Sequence, residues 1–193
     1  SGLTHVNAAT VGGIAPSALL PGTSWGLYDA TVVDATECSG SISLAVGADG
    51  LGIIVYVGFT GLTVAHCENL LCSTVTSSTL DTYSLSPAVT IGGDGLPLIS
   101  YWGPPNDTLK VAHCSDPACS TATISTPDLG NRGLLSSITT GQDGYGIISY
   151  WDPDLGALKV AHCTNATCSS SVISIVDDPS TGSAGQSSGV TIG

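Results

Sequence analysis

Positive charge is scarce in this chain. Its 193 residues include three Lys and Arg against 15 Asp and Glu, so the formal net charge is −12 at pH 7. The three cations, Lys110, Arg132 and Lys159, form no cluster in the sequence. Proteins that bind nucleic acid or anionic lipid concentrate Lys and Arg on one surface. The composition therefore argues against nucleic acid and against anionic membrane surfaces as partners.

Long apolar runs and helical periodicity are also missing. The uncharged stretch 5–28 contains four glycines and two prolines, which predicts a loop and not a membrane span. No window repeats apolar residues with a period of 3.6 between helix caps. We expect essentially no helix and no membrane-spanning segment.

The sequence patterns of common enzymes are absent as well. Glu37 and Glu68 are the only glutamates, and there is no nucleophile elbow, HExxH zinc motif, phosphate-binding loop or EF-hand loop. We expect no catalytic activity, no metal and no cofactor.

A repeat of about 48 residues organises the rest of the chain. Each of three copies contains an Asp-Gly pair, an apolar strand, and Ala-His-Cys followed by four residues and a second Cys. The Asp of the pair is Asp49, Asp94 or Asp143, so successive copies are 45 and 49 residues apart. This period is the length of a four-stranded propeller blade.

Turn chemistry divides each copy into four strands. The Asp-Gly pair predicts a hairpin turn in which both residues take positive φ. A polar turn and the loop between the two cysteines separate the later strands. We predict a single all-β domain over 1–193, a β-propeller of about four four-stranded blades. Full blades are expected at 41–85, 86–133 and 134–178, degenerate strands within 1–40 (3–8, 25–30 and 31–35), and a flexible segment with a terminal strand at 179–193.

The terminal strand resembles the first strand of a copy, but no Asp-Gly pair follows it. It consists of Val190, Thr191 and Ile192. One alternative is that this strand and the N-terminal strands complete a fourth blade and close a ring within one molecule. The other is that it joins the incomplete blade of a neighbouring molecule, which would repeat from chain to chain and build a fibre.

The segments 94–120 and 143–169 resemble repeat units of secreted and cell-surface prokaryotic proteins of the propeller type. The resemblance extends over about 41–178. It implies a propeller fold and an extracellular location, and it implies no reaction.

Six of the seven cysteines form three copies of Cys-x4-Cys. The interpretation we favour is one disulfide across a hairpin loop in each copy; the alternative is a zinc site that includes the preceding His. Adjacent strand residues point to opposite faces, which disfavours shared coordination. The pairs are Cys67 with Cys72, Cys114 with Cys119, and Cys163 with Cys168. Cys38 has no partner in this scheme, so it either forms an intermolecular disulfide or remains a buried thiol.

Disulfides place a protein in an oxidising compartment, where Asn-x-Thr sequences accept glycans. Two such sequences begin at Asn106 and Asn165, on predicted exposed loop tips. We expect covalent glycans at both.

The recurring histidines and aromatic pairs have structural and functional interpretations. His66, His113 and His162 are expected to satisfy the same backbone partner in each copy. Trp102 and Trp151 each follow a Tyr and precede Asp-containing turns, an arrangement suited to stacking on a sugar ring. Alternation places one residue of each Tyr-Trp pair in the packing between sheets.

Two functions fit these features. The first is an extracellular structural subunit, glycosylated, that assembles with copies of itself into a surface fibre or layer by strand exchange. The second is a carbohydrate-binding, lectin-like module that uses Trp102 and Trp151.

Overall fold

The computed structural model describes residues 33, 39–104, 106–129, 133–177 and 188–192. In these ranges the chain forms strands and no helix, so no described helix is available to cross a membrane. The strands expected at 3–8 and 25–30 and most of 31–35, together with Cys38, lie outside the described residues. The described strands belong to one compact unit, 32–193. They are β1 (Ser39–Val46), β2 (Gly52–Gly58), β3 (Gly61–Cys67), β4 (Val75–Asp81), β5 (Leu85–Ile91), β6 (Pro97–Gly103), β7 (Thr108–Cys114), β8 (Ala122–Asp128), β9 (Leu134–Thr140), β10 (Gly146–Asp152), β11 (Ala157–Cys163) and β12 (Ser171–Asp177).

The strands form three four-stranded antiparallel sheets, each from four consecutive strands in sequence order. Sheet 1 contains β1 to β4, sheet 2 contains β5 to β8, and sheet 3 contains β9 to β12. This confirms the predicted all-β class and the four-strand composition of each repeat.

Neighbouring sheets pack through the first strand of the later sheet. Strand β5 lies against β1, and β9 lies against β5. Two apolar cores result. Between sheets 1 and 2 the core includes Ile53, Val55 and Tyr101, and between sheets 2 and 3 it includes Val111 and Ile148. Sheet 2 therefore uses one face for the sheet before it and the other for the sheet after it.

The Asp-Gly turns differ from the predicted conformation. In the first copy the N–H of Gly50 donates to the carbonyl of Gly47 at 2.9 Å, and the N–H of Gly47 donates to the carbonyl of Leu51 at 2.8 Å. Gly50 has φ +79°, whereas Asp49 is not among the positive-φ residues. The expectation of positive φ at both residues was wrong, because the loop has three residues: a type I turn followed by a left-handed glycine.

A β-bulge precedes the last residue of the fourth strand in every sheet. The pairing of β3 with β4 shifts between Leu62 and Thr63, so that Leu62 faces Asp81 while Thr63 faces Thr79. Strands β8 and β12 shift at the equivalent place. A bulge re-aims the side chain beside it. In each sheet that side chain is an aspartate, and in sheets 1 and 2 the bulge lies where the strand meets the next sheet.

Candidate functional site

The three Cys-x4-Cys loops contain disulfides in the structure. Cys67 is joined to Cys72, Cys114 to Cys119, and Cys163 to Cys168. The hairpin-disulfide interpretation is therefore confirmed. Three disulfides indicate folding in an oxidising compartment.

Each disulfide loop also has an internal side-chain cap that the sequence analysis missed. In the third loop Asn165 Oδ1 accepts the N–H of Ser169 at 3.1 Å, while the Asn165 carbonyl accepts the N–H of Cys168. Asn69 and Asp116 make the same contacts in the other loops. The signal was present in the sequence: every loop reads Cys-x-Asn/Asp-x-x-Cys-Ser.

The recurring histidines bind carboxylates, not the backbone partner we expected. His66 Nε2 lies 2.8 Å from Asp49 Oδ2, on the Asp-Gly turn of the same sheet. The other oxygen of Asp49 accepts the N–H of Leu51 at 3.0 Å. His113 with Asp94 and His162 with Asp143 repeat the pair at 2.7 and 2.9 Å. In each copy the aspartate thus accepts a hydrogen bond within its turn and also pairs with the histidine of the third strand.

These contacts stabilise the charged form of the turn carboxylates. The Leu51 N–H, with a further contribution from His66, lowers the pKa of Asp49 below its ordinary value. Burial alone would raise the pKa of Asp94, but the Leu96 N–H and His113 outweigh it and the net shift is downward. The pairs lie at one end of each sheet and link the turn after the first strand to the third strand, which indicates a structural role.

A second recurring group joins one sheet to the next. Asp81, at the end of β4, accepts hydrogen bonds from the Tyr101 hydroxyl at 2.9 Å and from Lys110 Nζ at 2.8 Å. Tyr101 and Lys110 lie on β6 and β7 of sheet 2. We call this set of Asp, Tyr and Lys a junction. The Lys110 and Asp81 side chains are largely buried, so the ion pair is shielded from water.

Burial and charge shift the pKa values of this junction in opposite directions. Burial would raise the pKa of Asp81, but Lys110 and Tyr101 hold it below its ordinary value. Burial, followed by the nearby Asp81 charge, raises the pKa of Tyr101. The carboxylate is therefore ionised and the phenol protonated at neutral pH.

The junction between sheets 2 and 3 is built the same way with one addition. Asp128, at the end of β8, accepts from the Tyr150 hydroxyl and from Lys159 Nζ, both at 2.6 Å. Lys159 also donates to the fully buried Asp152 at 3.2 Å. Asp152 is therefore part of this junction.

Asp177 stands where a third junction would begin. It ends β12 and faces Leu158, as Asp128 faces Leu109 and Asp81 faces Leu62. Its carboxylate makes no hydrogen bond or ion pair with a described residue. Sheet 3 therefore presents the aspartate of a junction without the Tyr and Lys that complete the other two.

The C-terminal segment 188–192 lies against sheet 3 in the position of a next first strand. The hydroxyls of Ser188 and Ser149 are 3.0 Å apart, and the N–H of Val190 donates to Ser137 Oγ at 3.2 Å. These bonds repeat those that a first strand makes with the sheet before it. The equivalents are Ser136 with Ser100 at 3.0 Å and Val89 with Ser43 at 3.1 Å.

The opposite end of the stack exposes the matching apolar face. On β1, Ile42, Leu44 and Val46 are 62 to 64% exposed. The equivalent positions on β5 include Val89, which is buried against sheet 1. In the described part of the chain nothing covers β1 in this way.

The aromatic pairs divide as alternation predicted. Tyr101 and Tyr150 are fully buried, and Trp102 and Trp151 are partly exposed. Both indole N–H groups are buried and find no acceptor. Trp102 meets Tyr83 edge to face, with ring centroids 6.3 Å apart.

The two glycan acceptors differ in their surroundings. Asn106 is exposed in the turn between β6 and β7. Asn165 is only partly exposed, and its Oδ1 also accepts a hydrogen bond from the Thr167 hydroxyl at 3.0 Å.

In the described ranges no three His, Cys, Asp or Glu side chains come together as a metal site would require.

Comparisons with known proteins show likeness in fold alone. No family model and no curated protein matches the chain. A solved structure of a protein of unknown function from Dyadobacter fermentans is similar, with 13% identity, a TM-score of 0.58, and coverage of 73% of this chain and 42% of that one. An α-L-arabinofuranosidase from Lactobacillus brevis is similar at 12% identity and a TM-score of 0.51, with coverage of 72% and 54%. The chain thus spans about half the length of these neighbours or less.

Proposed function

We propose that the chain is an extracellular, non-enzymatic structural subunit that assembles head to tail with copies of itself into a fibre or layer. Assembly occurs by strand exchange. Segment 188–192 of one copy supplies the first strand of a further, propeller-type sheet in a neighbouring copy. The partner is therefore a second copy of this chain.

The observation that carries this proposal is the position of segment 188–192. Its hydrogen bonds to Ser149 and Ser137 reproduce those of β5 and β9 with the sheets before them. A first strand in this position has an open edge, because no described strand pairs with it. Exposed edges recruit further strands through backbone hydrogen bonds.

Asp177 supports the same conclusion independently. Both internal junctions pair the aspartate of one sheet with a Tyr and a Lys of the next. A carboxylate in the third such position, with no described partner, favours a further sheet beyond sheet 3.

The exposed face of β1 supplies the other side of the interface. Ile42, Leu44 and Val46 occupy positions that are covered by the preceding sheet elsewhere in the chain. Covering three apolar side chains of this size contributes several kcal/mol. The two ends of the stack differ, so contacts between copies are heterologous and growth need not stop at a dimer.

The test is electron microscopy and light scattering of the purified full-length protein, beside a variant that lacks residues 186–193 and the variant Asp177→Lys. We expect long assemblies from the full-length chain, none from the truncated chain, and fewer or shorter ones from Asp177→Lys. Asp154→Lys makes the same charge change at an exposed carboxylate in a turn and is the matched control. It should assemble normally.

A compact monomer at all concentrations of the full-length chain would contradict assembly. It would indicate that segment 188–192 completes a sheet within its own molecule.

An extracellular location and covalent glycans belong to the same proposal. They are supported by the three disulfides and by the exposure of Asn106. Mass spectrometry of peptides from the native protein should find glycan mass on Asn106 at higher occupancy than on the partly buried Asn165. Unmodified Asn106 in the native protein would contradict it.

Carbohydrate binding at Trp102 and Trp151 is the second candidate function. Their indole N–H groups lack acceptors, and each ring is partly exposed. A glycan-array signal that disappears in both Trp102→Ala and Trp151→Ala would favour this candidate over assembly.

A further inference from the structure

A cavity lies at the end of sheet 1. It has a volume of about 250 Å³ and lies between the turn that joins β2 to β3 and the connection from β4 to β5. Two residues, Phe59 and Thr60, link β2 to β3, whereas four residues link the equivalent strands of sheets 2 and 3. The short turn leaves room beside the strand ends.

The glycines of this turn are required by close contacts, Gly61 with the end of β4 and Gly58 with Thr63 on β3. A Cβ on Gly61, which has φ +130°, would lie 2.0 Å from the carbonyl oxygen of Asp81. A Cβ on Gly58 would lie 2.7 Å from Thr63 Oγ1. The turn is therefore held against the strand and cannot rotate away from the cavity without breaking this packing.

One wall of the cavity contains a buried hydroxyl without a partner. Ser84 is fully buried, lines the cavity, and its Oγ makes no hydrogen bond. A buried unpaired hydroxyl costs free energy in the ligand-free protein. Because the Oγ is closed to solvent in the ligand-free protein, a ligand hydroxyl removes that cost when the Ser84 side chain turns into the cavity.

The other walls are aromatic and neutral. Phe59 is 88% exposed and Tyr83 is 50% exposed, and both line the cavity. No lining residue is charged. The nearest carboxylate in sequence, Asp81, already binds Tyr101 and Lys110. The cavity lining therefore presents apolar ring faces and a hydroxyl group, and it contains no charged side chain.

We infer that this cavity binds a neutral sugar ring, either free or at the end of a glycan. The C–H face of a pyranose or furanose is apolar and suits Phe59 and Tyr83, and a ring hydroxyl suits Ser84. Ionic ligands find no counter-charge in the lining. This site is separate from Trp151 and does not depend on assembly between copies.

The test uses full-length protein produced without glycans and a panel of neutral monosaccharides and their methyl glycosides, with glucuronate as the charged comparison. Saturation-transfer NMR and titration of the protein amide spectrum measure binding. We expect at least one neutral sugar to bind with a Kd in the millimolar range or tighter, and glucuronate to bind at least several-fold more weakly. Shifts should include the indole signal of Trp102, because its ring contacts Tyr83.

Two variants locate the site. Ser84→Ala should weaken binding about tenfold and leave the free protein as stable as before or more so, since it removes an unpaired hydroxyl. Phe59→Ala should weaken binding as well without unfolding the protein, because the side chain is exposed. Leu71→Ala, another exposed apolar side chain of sheet 1, is the control and should bind normally.

Three results would overturn the inference. The first is that no neutral sugar binds. The second is binding that persists unchanged in Ser84→Ala and Phe59→Ala. The sugar then binds elsewhere, and Trp102 and Trp151 become the next candidates for its site. The third is a loss of stability in ligand-free Ser84→Ala, which shows that the hydroxyl has a partner. Each of these binding results can be interpreted even if the protein does not assemble, because the cavity lies within one copy.

Discussion

For the junction between sheets 1 and 2, we predict that losing the carboxylate of Asp81 destabilises the protein more than losing the ammonium group of Lys110. Asp81→Asn keeps the size of the side chain and removes the charge. It leaves Lys110, whose side chain is 11% exposed, without a carboxylate in the described part of the chain. Removing one partner of a buried ion pair costs about 3–5 kcal/mol. We expect about 3 kcal/mol, since the amide oxygen still accepts one hydrogen bond.

Lys110→Met is expected to cost less. The carboxylate of Asp81 keeps the Tyr101 hydroxyl and also accepts the N–H of Thr82 at 2.8 Å. Two remaining donors compensate much of the charge, and methionine fills the space of the lysine stem. We expect a loss of about 1 kcal/mol, the value of one ordinary hydrogen bond.

Denaturant unfolding followed by tryptophan fluorescence measures both losses. A difference of 3 kcal/mol also lowers the Tm by roughly 6–12 °C for a chain of this size. Asp177→Asn is the matched control: it stands at the same register position without a described partner, and should change stability by less than about 0.5 kcal/mol in dilute protein. Equal losses for Asp81→Asn and Lys110→Met would refute the reasoning, as would a large loss for Asp177→Asn.

Three further predictions concern pH, a turn and a disulfide. Because the folded-state pKa of Asp81 is lowered, its contribution to folding stability is fully present above the ordinary pKa of 3.8 and is lost as pH falls through the folded value. The stability difference between the native chain and Asp81→Asn should therefore shrink below about pH 4, as measured by acid titration at constant denaturant. Gly61→Ala should prevent folding or cost more than about 3 kcal/mol, whereas Gly40→Ala, with φ +86° and open space around the new Cβ, should cost only about 1 kcal/mol by thermal unfolding. Replacing Cys114 and Cys119 together by Ala should cost about 2 kcal/mol on the loop-entropy model, and an unchanged Tm would contradict this.

The local repeat could be predicted because its signals are short in sequence. Asp94, the apolar strand after it and the Cys114 to Cys119 loop each have a signal contained within a few consecutive residues, so turn chemistry and alternation reveal the strands and the disulfide. Contacts between elements were harder. The pairing of His113 with Asp94 spans 19 residues, and nothing in strand periodicity distinguishes a carboxylate partner from a backbone one.

The junctions were missed for a related reason. Asp81 is 20 residues from Tyr101 and 29 from Lys110, and it reaches them only because a bulge turns the end of β4 toward sheet 2. A bulge of one residue leaves no distinct mark in a strand of Ser, Thr and Leu. Comparing the three copies column by column would have shown an Asp at the end of each fourth strand, without showing where it points.

The repeats also differ at one position that sets the strength of the junctions. Sheet 1 has Thr63 where sheets 2 and 3 have Lys110 and Lys159. A carboxylate that reaches sheet 1 from a preceding sheet meets Tyr56 but no lysine, so that junction lacks the ion pair of the two internal ones. A shielded ion pair is the part of a junction whose loss costs most. In the assembly we propose, the contact onto sheet 1 is therefore expected to be weaker than the two internal junctions.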